Sequence, residues 1–283
     1  MVEKKWEELS SDERQEALFQ RWLSPTGIKF ANAKAEKLFK ERATRIKDAV
    51  QLNKLPDRVP VLVIPSFAPA FYAGMTPQEA MYDFDKVNAA WKKFYVDFQP
   101  DGHGGAVAPG PGRFYEILDF KLYKWPGHGI APEHSYQCVE GEYMKPDEYN
   151  ELIQDPSNFF RSIYHPRIWG ALEPFKKLSP LPDVAEMFGE AGSFVGYGLP
   201  DVQAAYKALL EAGSEALKWA GYMGAFGNEM TELGFPAYQC AATKAPFDTL
   251  GDTLRGTKGI MLDLYRQPEK VLQAVDVLTP LMI

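Results

Sequence analysis

The apolar run from Val59 to Ile64 constrains the fold of this chain more than any other feature. It is short, rich in β-branched side chains and bounded by prolines, and its apolar character is continuous rather than alternating. Continuous apolarity over this length is typical of a strand that is buried on both faces, as in a parallel sheet. We therefore predict the first strand of a parallel sheet in this segment.

Helical and extended patterns alternate after this run. The segment Thr76–Glu79 has an N-cap threonine, a proline at the first helical position and a glutamate three residues after the cap, which predicts a helix start. An apolar stripe at helical spacing continues through Met81, Phe84, Val87, Trp91 and Phe94. Further strands are predicted at Tyr95–Asp101, Tyr136–Glu140 and Phe235–Ala242. Alternation of this kind predicts an α/β fold.

Other helices are predicted from their start signals. Ser10 and Glu13 form a possible capping box, and Asp155 is the N-cap of a helix that runs through Tyr164. Lysine and glutamate in Ala33–Val50 indicate a helix with a solvated outer face, and a long helix is predicted from Pro200 to about Ala225. A last helix opens at Pro268.

Composition narrows the classes of protein. With 283 residues, 46% of them hydrophobic, the chain can bury a large core, which excludes a disordered protein. A net charge of −7 argues against nucleic-acid binding. We expect a cytoplasmic protein without membrane partners, because two distant cysteines do not form a disulfide framework and no apolar segment has the length of a signal or a membrane span.

Two clusters of acidic residues follow predicted strands, where sites of parallel α/β folds gather. Asp101 and His103 lie in a glycine-rich segment and could act as an acid/base pair; alternatively, Asp101 caps a turn beside an exposed imidazole. Glu140 and Glu142 are two residues apart and face the same way in extended chain, so they could share a proton or simply be surface charges.

Histidine and cysteine patterns are less specific. His128 stands between two glycines, where it could reach a ligand. The chain has no zinc-binding spacing of histidines and cysteines, and Cys240 is expected to be a buried thiol. Many aromatic residues, Tyr238 among them, must lie in the core or could line a pocket for a flat ligand.

Two stretches resemble the uroporphyrinogen decarboxylase superfamily, which also contains cobalamin-dependent methyltransferases. The first stretch is Arg45–Val61, with Gly74–Glu79 and Phe98–Asp101 following at fitting distances. The second is Ala245–Leu250, which is similar to the Pro-aromatic-Thr signature of the family, with Met261–Leu272 matching the helix pair that follows it.

The resemblance implies a (β/α)₈ barrel and a division of the chain. Residues 1–50 are then an N-terminal helical extension, and residues 51–283 are the barrel domain. The last helix carries an uncapped apolar stripe at Val271, Val275, Leu278 and Met282. From that stripe and from the small number of strands we expect only the N-terminal portion of a barrel, with an apolar face that favours self-association into a homo-oligomer.

Several positions depart from the decarboxylase pattern. The decarboxylases have two arginines after the first strand, whereas Ile64–Ala70 has none. The position of the family aspartate falls at Ala108, and the position of the family tyrosine falls at Asp252. An acidic porphyrinogen needs cations that pair with its carboxylates, so the resemblance favours the methyltransferase branch.

The sequence therefore predicts a methyltransferase that uses a corrinoid, either methylcobalamin or a corrinoid protein. Zinc would be held only by residues outside this sequence. The alternatives are a tetrapyrrole decarboxylase and a non-catalytic module that binds a tetrapyrrole or a corrinoid protein. The predicted catalytic residues are Asp101, His103, Glu140 and Glu142, and the predicted ligand-binding residues are His128, Tyr238, Gln239 and Asp252.

Overall fold

The computed structural model describes residues 5–105, 109–180, 186–239 and 242–282. The described residues are mostly helical, with 65% of them in helices, and they contain one small sheet of three strands. The prediction of a (β/α)₈ barrel, whole or partial, is therefore wrong.

The helices cover most of the chain. The α-helices are α1 (Ser11–Leu23), α2 (Ala33–Gln51), α3 (Ala68–Tyr72), α4 (Pro77–Ala80), α5 (Phe84–Phe98), α6 (Gly112–Leu118), α7 (Tyr149–Gln154), α8 (Pro156–Phe159), α9 (His165–Ile168), α10 (Glu186–Ser193), α11 (Pro200–Glu232), α12 (Pro246–Asp248), α13 (Gly256–Arg266) and α14 (Pro268–Met282). Short 3₁₀ helices span Trp6–Glu8, Gly170–Lys177 and Val195–Gly198, and π-helical stretches span Phe160–Tyr164 and Thr249–Arg255.

The sheet is mixed. Its central strand is β1 (Tyr123–Pro126), which pairs in parallel with β2 (Gly129–Ile130) and antiparallel with β3 (Gln137–Cys138). Trp125 lies opposite Gly129, and Tyr123 lies opposite Cys138. The strand predicted at Tyr136–Glu140 is confirmed only at Gln137 and Cys138.

The segment Val59–Ile64 forms no strand. Val59 and Ile64 are 79% and 80% exposed, so this segment is not buried on both faces. Its backbone bonds to other partners: the Val61 N–H donates to a carboxylate oxygen of Asp101 at 2.7 Å, and the Val63 carbonyl accepts from the Tyr238 hydroxyl at 2.7 Å. Prolines on both sides and at position 60 remove backbone donors that a sheet would need.

The second predicted strand is the last turn of a helix. Helix α5 runs from Phe84 to Phe98 and buries Val87, Ala90, Trp91 and Tyr95 on one face. Tyr95 follows Trp91 by four residues, so it extends the helical stripe rather than beginning a strand. Gln99, in the left-handed region with φ 51°, ends the helix.

Of the strand predicted at Phe235–Ala242, the described residues form only one isolated β-bridge. Ala237 makes an isolated parallel bridge with His103, and the described residues around it are otherwise irregular. Cys240 and Ala241 lie outside the described residues, so the predictions for them have no structural counterpart.

The predicted helix starts are confirmed. The Ser10 and Thr76 hydroxyls accept from the backbone N–H three residues on, and Glu13 and Glu79 complete the two capping boxes. The Asp155 carboxylate accepts from the Asn158 N–H at 2.9 Å. The helix predicted from Pro200 extends to Glu232 in the structure.

The chain divides into two compact units. The first comprises the described residues within Met1–Met75, Asp83–Gly110 and Trp219–Cys240, and the second those within Thr76–Tyr82, Pro111–Lys218 and Ala241–Ile283. The core of the first unit joins the inner faces of α2 and α5 to the end of α11, with buried side chains at Phe39, Ala43, Ile46, Val87, Trp91, Tyr95, Phe226, Met230 and Phe235.

The second unit contains two apolar clusters. One surrounds Tyr149, Leu152, Phe159, Leu250, Leu254 and Leu278, and the other joins Leu118, Leu172, Phe175 and Val202. Helix α14 packs its apolar stripe into the first of these, because Val271 and Leu278 are buried there and Val275 and Met282 pack against it. The expectation that this stripe forms an uncovered face is therefore wrong.

No helix among the described residues combines the length and apolarity that crossing a bilayer requires.

Candidate functional site: an aromatic cleft at His128

Asp101 is the buried centre of an ion-pair network in the first unit, whose outer members Arg58 and Asp57 are exposed. One of its carboxylate oxygens accepts from Arg45 at 2.5 Å and from Arg58 at 2.6 Å, and the other accepts from Arg58 and from the Val61 N–H, both at 2.7 Å. Arg45 also pairs with both oxygens of Asp57, at 2.6 Å each. This network fixes the loop after α2, and it occupies the lone pairs that acid/base chemistry would need.

His103 is buried in the same unit, at 3% exposure. Its ring meets Tyr95 and Phe226 edge-on, and Nδ1 accepts from the Gly105 N–H at 3.3 Å. Nε2 has no hydrogen-bond partner in the part of the chain that the structure describes. Burial lowers the pKa of His103 to about 4, so the imidazole is neutral near pH 7.

Tyr238 and Gln239 lie beside this histidine. A Cβ on Gly104 would be 2.8 Å from the Tyr238 hydroxyl oxygen and 3.1 Å from Gln239 Oε1. The first unit thus brings together Asp101, His103, Tyr238 and Gln239, four of the residues that the sequence singled out. Asp101 and His103 are buried and bonded to arginines and to backbone, whereas Tyr238 is half-buried on the Val63 carbonyl and Gln239 is exposed.

Glu140 and Glu142 have separate partners in the second unit. Glu140 accepts from the Thr257 N–H at 2.9 Å, in the first turn of α13, and the contact with Thr257 lowers the pKa of Glu140. Glu142 lies 3.7 Å from the guanidinium of Arg255. That guanidinium is buried and forms an ion pair with the buried Asp263. The two glutamates do not form the proton-sharing pair that their spacing suggested.

Asp252 pairs with Lys244 on the surface of the second unit. The family position at Ala108 lies outside the described residues. Within the described residues no three histidine, cysteine, aspartate or glutamate side chains are grouped so that they could hold a metal ion.

His128 lies at the edge of an open cleft of about 640 Å³ in the second unit. The cleft lies over the small sheet and is lined by Tyr115, Glu116, Asp119, Phe120, Lys121, Tyr123, Lys124, Trp125, His128, Gly129 and Val139. The rings of Tyr115 and Phe120 stack at 5.1 Å between centroids, and those of Phe120 and Tyr123 at 5.9 Å. Small-molecule sites have volumes of about 300–1,000 Å³, a range that includes this cleft, whose walls combine aromatic rings with four charged side chains.

The turn between β1 and β2 positions the imidazole. The Trp125 and His128 backbones exchange hydrogen bonds of 3.0 and 2.7 Å, with Gly127 and Gly129 in the left-handed region at φ 80° and 82°. The imidazole consequently stacks on the Trp125 indole, with 3.6 Å between ring centroids and 16° between planes. The two glycines that flank His128 are required by this turn.

Two residues that the sequence analysis did not single out complete the site. The Tyr82 hydroxyl donates to Glu116 Oε1 at 2.7 Å, and Nε2 of His128 lies 3.2 Å from that hydroxyl and 3.3 Å from Glu116 Oε1. Burial and the neighbouring Glu116 carboxylate raise the pKa of Tyr82, so the phenol keeps its proton. Tyr82 is 34 residues from Glu116 and 46 from His128, and no local motif links these positions.

Comparison with protein-family models, with curated proteins and with solved structures finds no match to this chain.

Proposed function

We propose that the protein binds a corrinoid in the aromatic cleft at His128 and takes part in methyl transfer from it. The cleft carries this proposal, because it combines stacked aromatic walls, an open face and an imidazole at one edge. The resemblance to the uroporphyrinogen decarboxylase superfamily supplies the chemical class of the ligand.

The aromatic rings of the cleft can contact the apolar rim of a macrocycle. Tyr115 and Tyr123 both stack on Phe120, so the rings offer a ligand their edges rather than their paired faces. Aromatic side chains supply large contact areas at small cost in conformational entropy. A corrin ring with its peripheral amides can satisfy both these rings and the polar groups among them.

The charges of the cleft favour a corrinoid over an acidic porphyrinogen. Lys121 and Lys124 are its cations, and Glu116 and Asp119 are its carboxylates, so the formal charges cancel. Lys121 is already paired with Asp119 at 3.3 Å. In the first unit Arg45 and Arg58 are paired with Asp101, so they do not replace the arginine pair of the decarboxylases.

The residues of the chain have binding roles in this proposal. A bound corrinoid supplies a methyl group to a nucleophile. The aromatic rings hold the macrocycle against β1, while the Tyr82–Glu116 pair fixes the imidazole at its edge. Zinc activation of a thiol would need ligands from outside this sequence.

The test is a titration with methylcobalamin, followed by tryptophan fluorescence and visible absorbance. We expect saturable quenching that weakens severalfold in Tyr123→Ala, since one aromatic contact contributes about 0.5–1.5 kcal/mol. Tyr265→Ala is the matched control, because Tyr265 is exposed and does not line the cleft. Transfer of the methyl group to a small thiol, followed by mass spectrometry, then tests turnover.

Each other outcome contradicts part of the proposal. Binding without methyl transfer to the thiol would indicate a non-catalytic corrinoid-binding module. Loss of carboxyl groups from uroporphyrinogen, followed by chromatography, would establish a decarboxylase instead. Absence of binding by methylcobalamin would overturn the proposal.

A further inference from the structure

The extended segment Val59–Ile64 uses only one of its two backbone edges within the first unit. Val61 exchanges two hydrogen bonds with Asp101: its N–H donates to the carboxylate at 2.7 Å, and its carbonyl accepts from the Asp101 N–H at 2.8 Å. The Val63 carbonyl accepts from the Tyr238 hydroxyl at 2.7 Å. Val61 and Val63 therefore direct their backbone groups toward the protein.

The backbone groups of Leu62 and Ile64 point to the opposite side, because successive residues of an extended chain direct these groups to alternate sides. Neither residue makes a backbone hydrogen bond to any part of the chain that the structure describes. Leu62 is 42% exposed and Ile64 is 80% exposed, so a second strand can reach this edge. An exposed apolar edge with unpaired N–H and C=O groups is a template for another strand.

This edge is complementary to itself. When two copies of the segment lie antiparallel with the two Val63 residues opposite each other, Leu62 of each copy faces Ile64 of the other. Each of these two pairs exchanges both N–H···O bonds, so every backbone donor and acceptor of Leu62 and Ile64 is satisfied. Pro60 and Pro65 lie outside the pairs, so the donors that they lack are not needed.

Apolar side chains beside the edge can supply contact area. Helix α3 follows the segment through a hydrogen bond from the Ala68 N–H to the Pro65 carbonyl, and it packs on α5, where Tyr72 meets Phe98 with 5.2 Å between ring centroids. Apolar residues here that are 45–80% exposed include Val59, Ile64, Phe71, Tyr72 and Phe98. A standard interface buries about 800 Å² on each partner, an area that this edge and these side chains together approach.

We propose that Val59–Ile64 is the interface of a homodimer, in which two copies of the chain pair their edges as an antiparallel ribbon. A second copy fits better than another occupant, because it presents the same spacing of donors and acceptors and closes the interface under two-fold symmetry. The neighbouring strand that the apolar pattern requires then comes from another molecule. Since a two-stranded ribbon is marginally stable, we expect the dimer to dissociate in the micromolar range. This inference is independent of the ligand in the cleft.

Analytical ultracentrifugation of the wild type over a range of concentrations tests for the dimer. We expect the average mass to rise from that of a monomer toward that of a dimer. Hydrogen exchange followed by mass spectrometry, at the two ends of that range, locates the interface. The amides of Leu62 and Ile64 should be protected at high concentration and should exchange rapidly at low concentration.

Charged variants test the register. One variant carries Leu62→Glu and Ile64→Glu, and a second carries Leu62→Lys and Ile64→Lys, so like charges face each other in either homodimer. Each variant alone should self-associate at least about tenfold more weakly than the wild type, and an equimolar mixture should recover the dimer. Leu210→Glu with Tyr265→Glu, which changes two exposed residues of the second unit, is the matched control and should remain dimeric.

A disulfide tests the pairing directly. Val63→Cys should crosslink under mild oxidation, because residues opposite each other in a non-hydrogen-bonded pair have Cα atoms about 4.5 Å apart, within the range of a disulfide. Val59→Cys is the control, since the two copies of position 59 would lie about 26 Å apart along the ribbon. Both variants also carry Cys138→Ser, because Cys138 is an exposed free thiol.

A wild type that stays monomeric at all concentrations would overturn the inference and would leave the edge to an extended segment of another protein. A dimer that persists in both charged variants would also overturn it, as would crosslinking at position 59 in place of position 63. Sedimentation and hydrogen exchange of the wild type decide the question even where a variant does not fold.

Discussion

The Tyr82 ring occupies the space that a side chain at position 112 would need. The backbone N–H of Gly112 donates to the Met81 carbonyl at 2.8 Å, which brings the Tyr82 ring over the start of α6. A Cβ at Gly112 would lie 2.6 Å from the Tyr82 ring, closer than such atoms can approach. The contacts of the Tyr82 hydroxyl with Glu116 and His128 therefore depend on Gly112, the first residue of α6.

Gly112→Ala should displace Tyr82 and lower the free energy of unfolding by about 1–3 kcal/mol, as overpacking does. Urea denaturation measures the change. Gly213→Ala is the matched control, because a Cβ at Gly213 meets nothing within 4 Å in the interior of α11. That variant should be neutral or more stable by up to about 1 kcal/mol. Equal destabilisation in both variants would contradict the close packing of Tyr82.

His103 should make stability depend on pH. Its folded-state pKa of about 4 lies below the ordinary histidine value of 6.5, so between these values the unfolded chain binds more protons than the folded chain. Stability therefore rises with pH in this window. The contribution of neutral His103 is complete above 6.5, decreases progressively as the pH falls from 6.5 to 4, and is fully lost below 4.

His103→Phe tests this dependence. Between about pH 7 and pH 5 the wild type should lose about 2 kcal/mol of unfolding free energy more than this variant, which cannot bind the proton. His134→Phe removes an exposed histidine and should retain the wild-type dependence. Identical pH profiles for wild type and His103→Phe would show that His103 is not buried in neutral form.

At the residue scale, the sequence identified individual side chains better than their partners. His128 was singled out from its flanking glycines, and the structure places it in the cleft, where those glycines take positive φ. Tyr82 and Glu116 were missed, because helices and turns far apart in sequence bring them together. Asp101 was singled out as an acid, although its carboxylate binds two arginines.

Among the elements, the extended segment Val59–Ile64 shows most clearly that tertiary contacts can outweigh a local sequence pattern. Its apolar pattern fits a buried strand, yet Ile64 is 80% exposed and the backbone bonds to Asp101 and Tyr238. Pattern arguments assume that a neighbouring strand is present to pair with. Here the residues expected to form that neighbour, Tyr95–Phe98, belong to α5.

Ile64→Ala should change the free energy of unfolding by less than about 0.5 kcal/mol, because the side chain is exposed. The same substitution at Ile46, which is buried in α2, should cost about 2–5 kcal/mol. Both isoleucines belong to the first unit, so denaturation of the two variants is a direct comparison. A large loss at Ile64 would support the buried strand that the sequence predicted.

For the whole molecule, helix content distinguishes the structure from the barrel that the resemblance implied. Far-ultraviolet circular dichroism should show a predominantly helical spectrum, in line with 65% helix and a sheet of short strands among the described residues. A spectrum with substantial strand content would contradict the structure and would favour the barrel instead.

The sequence by itself determined where many helices begin. A cap is satisfied by a backbone N–H three residues away, as at Ser10, Thr76 and Asp155, so its signal is local and readable. Tertiary structure alone decided that Val59–Ile64 forms no strand and that Tyr82 and Glu116 meet His128. The backbone partners of the first are 40 and 175 positions away, and the oxygens that orient the imidazole come from other elements. Such contacts leave no periodic trace in the sequence, because they depend on how separate elements pack.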